Sequence, residues 1–286
     1  MSGTQTSGDY SAWIGRSEVA EDMITAGPLD RLSATLDIDA AGARLGDAVP
    51  PLAHWLFFLP NARQSEIGAD GHPRRGGFLP PVDQLPRRMW AGSRIAFNDD
   101  IHVGETAKRR SVIQSVKHKE GASGPLVFVT VRHEIGQEGQ PAAIVDEHDI
   151  VYRGLQAPAV KPSPRTAEIG EWRRELVPDA VQLFRYSALT FNGHRIHYDR
   201  DYVTREEGYP GLVVHGPLIA TLLLDLVRRN APEARVRQFS FRALSPLFDG
   251  DMMSVNATPP GADGLVRLWA ANAEGHLAMT AEARLA

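Results

Sequence analysis

Tyr186-Ser-Ala-Leu-Thr-Phe-Asn-Gly-His-Arg-Ile-His-Tyr-Asp199, followed by Val213-Val-His-Gly-Pro-Leu218, is the stretch on which the reading of this chain turns. Pro217 suits a first helical position, where its missing N–H has no intrahelical partner, with Gly216 or His215 at the cap. Leu218, Ile219, Leu222, Leu223 and Leu226 share one broad face, and Leu224 and Val227 widen it, so the spacing predicts a helix enclosed by a sheet. Arg228 and Arg229 suit the negative end of the helix dipole, and Asn230 with Pro232 ends the helix. Its first turn therefore aims free backbone N–H groups at whatever lies beside His215. His194, His197 and His215 all fall ahead of that turn, so proton chemistry is expected there.

Composition bounds the alternatives. With 286 residues, the chain suits two ordinary domains or two fused copies of one. A 43% hydrophobic and 23% charged composition is that of a globular protein with a sizeable core. Thirty-one basic against 35 acidic residues leave a net charge of -4, so no basic field favours nucleic acid or an anionic membrane. The absence of cysteine excludes disulfides, thiolate catalysis and cysteine metal sites. Neither a secretory signal nor an apolar run of membrane-spanning length is visible, and a cytoplasmic location is expected.

Upstream, Trp13 to Met23 is compatible with a helix. Pro50-Pro-Leu-Ala-His-Trp-Leu-Phe-Phe58 reads as a second proline-started apolar helix, with Pro51 and Pro217 lying 166 residues apart. Arg94 to Glu105 resembles Phe239 to Asp251, each a strand, an apolar turn and a Gly-acid pair opening the next strand; Gly104 and Gly250 are 146 apart. Strand-like segments follow both copies, Leu126 to His133 and Ile144 to Tyr152, then Leu265 to Ala271 and Leu277 to Ala283. These matches predict an internal duplication, with units at 1–155 and 167–286 joined by a proline-rich linker at 156–166. The first unit carries about 20 extra residues in a loop at 60–93 that holds Arg63, Arg74, Arg75, Arg87 and Arg88. That loop reads either as a solvated connection or as an arginine-bearing flap over an anionic ligand, since guanidinium matches phosphate oxygens bidentately.

Phe184 to Asp199, Val213 to Leu218, Trp13-Ile-Gly-Arg16 and Gly71-His-Pro-Arg-Arg-Gly-Gly-Phe-Leu-Pro80 together resemble the MaoC-like hydratases, in the branch that acts on mesaconyl-C4-CoA and itaconyl-CoA and includes the type 2 3-hydroxyacyl-thioester dehydratases. The resemblance implies an α+β double hot-dog fold, in which each of two fused units wraps an antiparallel sheet round a central helix. It also implies hydration of an α,β-unsaturated acyl-CoA, or the reverse, without metal or redox cofactor. In the wider family an Asp and a His five residues apart handle the water and the proton, and a glycine N–H at the helix start holds the thioester oxygen. His197 matches the His and Gly216 the glycine. Asn192, or Thr190 under a two-residue insertion, stands where the Asp is expected, so the usual carboxylate is missing.

On this reading His197 is the base, Gly216 the oxyanion donor, and Asn192 orients water without accepting its proton. His194 and His215 line the substrate site, Arg195 clamps a second substrate carboxylate, and Arg74 and Arg75 cover the CoA. The three histidines lack a helical metal-binding spacing, so no metal is expected. Carrying the 166-residue offset back from His197 and Asn192 lands on Arg31 and Ala26, which predicts a single catalytic centre per chain, in the second half. The favoured product is citramalyl-CoA from a C5 dicarboxylic enoyl-CoA. The alternatives are a 3-hydroxyacyl-thioester dehydratase of broader chain length, a thioesterase, and a non-catalytic acyl-CoA-binding protein. A fused pair already mimics the dimer of single-unit relatives, and a further homodimer is compatible with it.

Overall fold

A computed structural model describes residues 8–121, 124–154, 163 and 165–286. In chain order the elements are β1 (Ser17–Met23), α1 (Ala26–Thr35), β2 (Arg87–Phe97), β3 (Thr106–Gly121), β4 (Gly124–Gly136), β5 (Ile144–Arg153), β6 (Trp172–Leu176), α2 (Ala180–Leu189), α3 (Arg200–Arg205), α4 (Gly216–Asn230), β7 (Val236–Ala243), β8 (Met253–Ala257), β9 (Leu265–Asn272) and β10 (Leu277–Leu285). The strands form one ten-stranded antiparallel sheet in the order β1-β3-β4-β5-β2-β7-β10-β9-β8-β6. Its two halves repeat one thread: the first strand at the edge, then the third, fourth, fifth and second. They join along β2 and β7, with Ile95 opposite Phe239. This is an α+β double hot-dog. Most of the proposed linker lies outside the described residues.

The second half matches its expected form. His215 caps α4, Pro217 stands in its first turn, and every residue from Leu218 to Val227 is buried. The helix lies against β8, β6, β9 and β10. Asp225, buried in its last turns, accepts from Arg174, Arg228 and Arg229, so this interior carboxylate is fully paired.

Three expectations are corrected. First, Pro50 to Phe58 forms only a 3-10 turn, Ala53–Leu56, so the first half has no long central helix. Leu52 and Phe58 are both left-handed, with φ of 70° and 56°, which interrupts a helix at either end. Side chains anchor the turn instead. The Asp146 carboxylate Oδ2 accepts from Trp55 Nε1 at 2.8 Å and His148 Nε2 at 2.8 Å, and lies 3.1 Å from His54 Nε2. Second, Trp13 to Met23 is a short 3-10 turn followed by β1, an edge strand paired with β3. Gly15 at φ 85° separates the two. Third, the halves do not correspond at an offset of 166 in this region: α1 and α2, each of ten residues, open at Ala26 and Ala180, 154 apart. Arg31 therefore matches Arg185 in α2, and the counterparts of Asn192 and His197 become Ile38 and Ala43. Neither can transfer a proton.

The loop at 60–93 is also shorter than expected, because Arg87 to Ser93 already belong to β2. What remains folds across to the second half. The Arg195 N–H donates to the Asp70 carbonyl at 2.9 Å, and the Arg195 guanidinium donates to the Ala69 carbonyl at 2.9 Å. Arg87 pairs with Glu207 at 3.0 Å.

Candidate active site

Four imidazoles stand in a row where the halves meet. Ring centroids are separated by 4.1 Å from His72 to His194, 5.5 Å from His194 to His197, and 3.7 Å from His197 to His215. His197 closes a short 3-10 turn, Arg195–His197, and His215 caps α4, so the last pair is set by the two segments leading into the central helix. The segments are held in register by Val213 N–H donating to Ile196 C=O at 3.0 Å.

His197 is buried, and its Nδ1 lies 2.7 Å from the Val213 carbonyl oxygen. A carbonyl only accepts, so Nδ1 carries the proton and Nε2 presents a bare lone pair. Burial holds its pKa down to about 4, against the opposing pull of the Val213 carbonyl, and the nearby His72 adds to the depression. His197 is thus a neutral base throughout the physiological range. His215 Nε2 shares a 2.8 Å hydrogen bond with the Ser187 hydroxyl, and burial keeps this ring neutral as well. His194 is pushed down to about 2 by burial and by the neighbouring histidines.

At the helix start, a Cβ placed on Gly216 would meet nothing within 4 Å, so there is open space beside the first residue of the helix. The His197 ring stacks on His215, the cap of this helix, and so lies beside its start. The remaining sequence candidates are placed differently. Asn192 Oδ1 accepts the His194 N–H at 3.0 Å, and Thr190 donates to the Tyr186 carbonyl at 2.8 Å, so both shape the turn. Neither brings a carboxylate to the site. The Arg195 guanidinium is committed to Asp199, at 2.8 and 3.0 Å, and lies over the Tyr202 ring. Arg75 staples its own loop through the carbonyls of Val82, Leu85 and Pro86, while Arg74 points to solvent.

The structure adds three residues that sequence reasoning did not single out as site residues. Asp70 Oδ2 lies 2.9 Å from His72 Nδ1, and Asp70 Oδ1 accepts the His72 backbone N–H at 3.0 Å. Burial alone would raise the Asp70 pKa, but these bonds and the imidazole charge hold it well below the usual carboxylate range. Arg88, half-buried in β2, lies close enough to Tyr152, His72 and His194 for its charge to lower the pKa of each. The signal for all three was the Arg- and His-bearing stretch Asp70 to Arg88, with nothing local to show what it would meet. Asp70, His72 and His194 are also the one set of three metal-type donors among the described residues, within 4.8 Å of one another. The Asp70–His72 hydrogen bond makes the pair an acid–base couple as it stands.

The family described as hydroxyacyl-thioester dehydratase type 2 matches residues 52–249. Mesaconyl-C(4)-CoA hydratase of Chloroflexus aurantiacus is 46% identical over 284 residues, covering 98% of this chain and 99% of that protein. The mitochondrial hydroxyacyl-thioester dehydratase type 2 of Schizosaccharomyces pombe is 28% identical over 265 residues, covering 80% and 86%. A crystal structure of a MaoC-like dehydratase from Phytophthora capsici superposes with a TM-score of 0.69 at 16% identity, covering 95% of this chain and 96% of that one. It shares the fold. No helix among the described residues is long and apolar enough to cross a membrane.

Proposed function

The chain belongs to the hydroxyacyl-thioester dehydratase type 2 family, and on that premise we propose that it hydrates the C=C bond of a short-chain enoyl-CoA, with a C5 dicarboxylic acyl group such as mesaconyl-C4-CoA or itaconyl-CoA giving citramalyl-CoA. The observation that carries the reading is the bare Nε2 of His197 beside the open start of α4. Water gives its proton to His197 Nε2 while its oxygen bonds the β-carbon. The π electrons move toward the thioester oxygen, where the Gly216 N–H, backed by the helix dipole, stabilises the developing charge. One such preorganised donor lowers a barrier by about 3 kcal/mol. The α-carbon then takes a proton. None of these steps calls for a metal or a redox cofactor, and the work is done by an imidazole and a backbone amide.

The second half holds this machinery, and the first half supplies the covering loop. Arg195 and Arg75 are committed within the protein, so the role of carboxylate clamp passes to Arg88, for which no carboxylate partner is present among the described residues. A guanidinium at the inner edge of the site suits an acyl group that ends in a second carboxylate. A cytoplasmic location accords with a CoA thioester substrate.

The test is hydration of mesaconyl-C4-CoA and crotonyl-CoA, followed by loss of conjugated-thioester absorbance, and of itaconyl-CoA, followed by chromatography of the product, wild type beside His197→Ala. Turnover of a dicarboxylic substrate that the variant lacks is the expected result. The Schizosaccharomyces pombe relative favours a second reading, a dehydratase of 3-hydroxyacyl thioesters. Preference for crotonyl-CoA supports that reading, release of free CoA supports a thioesterase, and binding without turnover supports a non-catalytic module.

A further inference from the structure

The proposed chemistry leaves one requirement open: the α-carbon needs a proton, and the second half offers no carboxylate-backed acid for it. Asn192 and Thr190 are engaged with backbone groups. The first half brings what is missing. Its loop turns tightly at Gly68 to His72, where Gly68 N–H donates to the His72 carbonyl at 2.7 Å, and lays Gly71 against Gly193. A side chain at either glycine would collide with the other's carbonyl, so this approach depends on both. Two bonds from Arg195 fasten the loop at Ala69 and Asp70. The result is His72 with its Nδ1–H directed at Asp70 and its Nε2 free, the arrangement in which a carboxylate fixes one imidazole tautomer and aims the other nitrogen.

We propose that His72, oriented by Asp70 and carried in by the first half, is the second proton-transfer group of this site and exchanges the α-proton while His197 handles the water. The proposal rests on the hydratase reading above. One proton is shared between two imidazoles. Before hydration it sits on His72, whose Nε2–H gives it to the α-carbon as the electrons return from the thioester oxygen. His197 meanwhile takes a proton from water as the oxygen bonds the β-carbon. His72 ends neutral and His197 charged, and transfer of one proton between them restores the starting state. In the reverse direction neutral His72 removes the α-proton and charged His197 protonates the departing hydroxyl. His194, whose ring neighbours both, lies between them. The charges facing His72 are Asp70 on its own loop, Arg75 beyond it, and Arg88 from β2. Burial, with the two arginines, holds the His72 pKa below the ordinary imidazole value, and the Asp70 hydrogen bond and charge oppose that shift in favour of the charged ring.

The experiment compares wild type, His72→Ala, His72→Gln and Asp70→Asn on whichever of the three thioesters the wild type hydrates. The expected result is that both His72 variants lose about 10²- to 10⁴-fold in kcat with KM changed by only a few-fold, the range for a general acid–base group. Asp70→Asn should lose less, and added imidazole should restore part of the rate to His72→Ala. A merely structural His72 would not respond to imidazole. His72→Gln keeps a polar side chain for Asp70 and should melt like wild type, which separates packing from proton transfer. Wild-type kcat in His72→Gln, or a rate loss in His72→Ala that tracks its melting temperature and ignores imidazole, overturns the proposal while leaving the hydratase reading intact. A wild type that hydrates none of the three thioesters removes both.

Discussion

The two halves thread five strands in the same order yet fill the space beneath them in opposite ways. The second half places fifteen residues of helix there, ending in open space at Gly216. The first places a four-residue 3-10 turn, where Trp55, His54 and His148 surround a single oxygen of Asp146. Both halves therefore bury histidines, but His54 and His148 are held by a core carboxylate, whereas His197 lies beside the open start of α4. The lesson is that a buried imidazole serves structure or chemistry according to whether it sits in closed core or beside an open site. For His54 and His148 one nitrogen is bound to a carboxylate inside the core, which positions a turn. For His197 the bound nitrogen faces a carbonyl, and the ring stacks on the residue that caps the open helix start.

The sharpest way to break this comparison is to exchange the roles. His197→Ala should lower hydratase kcat by about 10²- to 10⁴-fold and leave the melting temperature near that of wild type. Asp146→Ala should do the reverse, costing about 3–5 kcal/mol of stability because it strands buried donors, with kcat of the folded fraction preserved. Chemical denaturation and steady-state kinetics on the two variants decide it. Asp146→Ala enzyme that is stable but inactive would give the Asp146 cluster a part in catalysis as well.

Buried histidines and buried carboxylates should also separate along the pH axis. The folded pKa values of His194, His197 and His215 lie below the ordinary value of about 6.5, at about 2, about 4 and well below it. Because the unfolded chain takes up these protons first, the contribution of these rings is complete above about pH 6.5 and is lost as pH falls from there toward the folded values. For His197 alone this amounts to on the order of 3 kcal/mol. Asp146 behaves differently. Burial alone would raise its pKa, but the His148 and His54 contacts hold it well below the carboxylate range, so its contribution persists until pH drops beneath the unfolded carboxylate value of about 4. Melting temperature should therefore fall in two stages on acidification. His215→Phe should flatten the first stage and leave the second; an unchanged first stage removes the assignment. The acid limb of kcat/KM should fall near pH 4, where His197 titrates.

A smaller effect sharpens what the first half contributes. Arg88→Gln should lower kcat/KM for a dicarboxylic enoyl-CoA by about 10- to 100-fold, the worth of a charge-assisted hydrogen bond, while crotonyl-CoA hydration stays within a few-fold. Equal losses on both substrates would show that Arg88 supports the fold and not the choice of acyl group.

The sequence made one side of the comparison legible because its signals are local. Pro217, the leucine spacing and the basic last turn all lie within the α4 segment, and His197 and Gly216 are only nineteen residues apart. The strands following Gly104 and Gly250 were likewise visible, because turn glycines and alternating apolar residues sit beside them. The other side was hidden by long-range contacts. Pro50 to Phe58 has the composition of a buried helix, and its two left-handed residues are a leucine and a phenylalanine, held by tertiary packing that no local rule anticipates. β1 was misread because an exposed edge strand needs no apolar face. The Asp70–His72 pair was invisible as part of the site because His194, its neighbour there, is more than a hundred residues away, and the approach is made by backbone at Gly71 and Gly193.

That backbone approach yields the finest test. Gly71 and Gly76 lie in one loop with nearly the same left-handed conformation, φ 90° and 95°, so alanine at either position carries a similar intrinsic strain of about 1–2 kcal/mol. They differ in what a methyl group would meet. At Gly76 it meets nothing within 4 Å, whereas at Gly71 it runs into the Gly193 carbonyl, which is backbone and cannot turn aside. Gly76→Ala should therefore cost a little stability and leave kcat alone. Gly71→Ala should lift the loop from the second half, withdraw Asp70 and His72 from His194, and lower kcat toward the level of His72→Ala while expected to bring only a modest fall in melting temperature. Limited proteolysis between residues 60 and 86 should quicken in Gly71→Ala and not in Gly76→Ala. If both variants keep wild-type kcat, the first half shields the site without taking part in its chemistry, and the division of labour between the halves is complete.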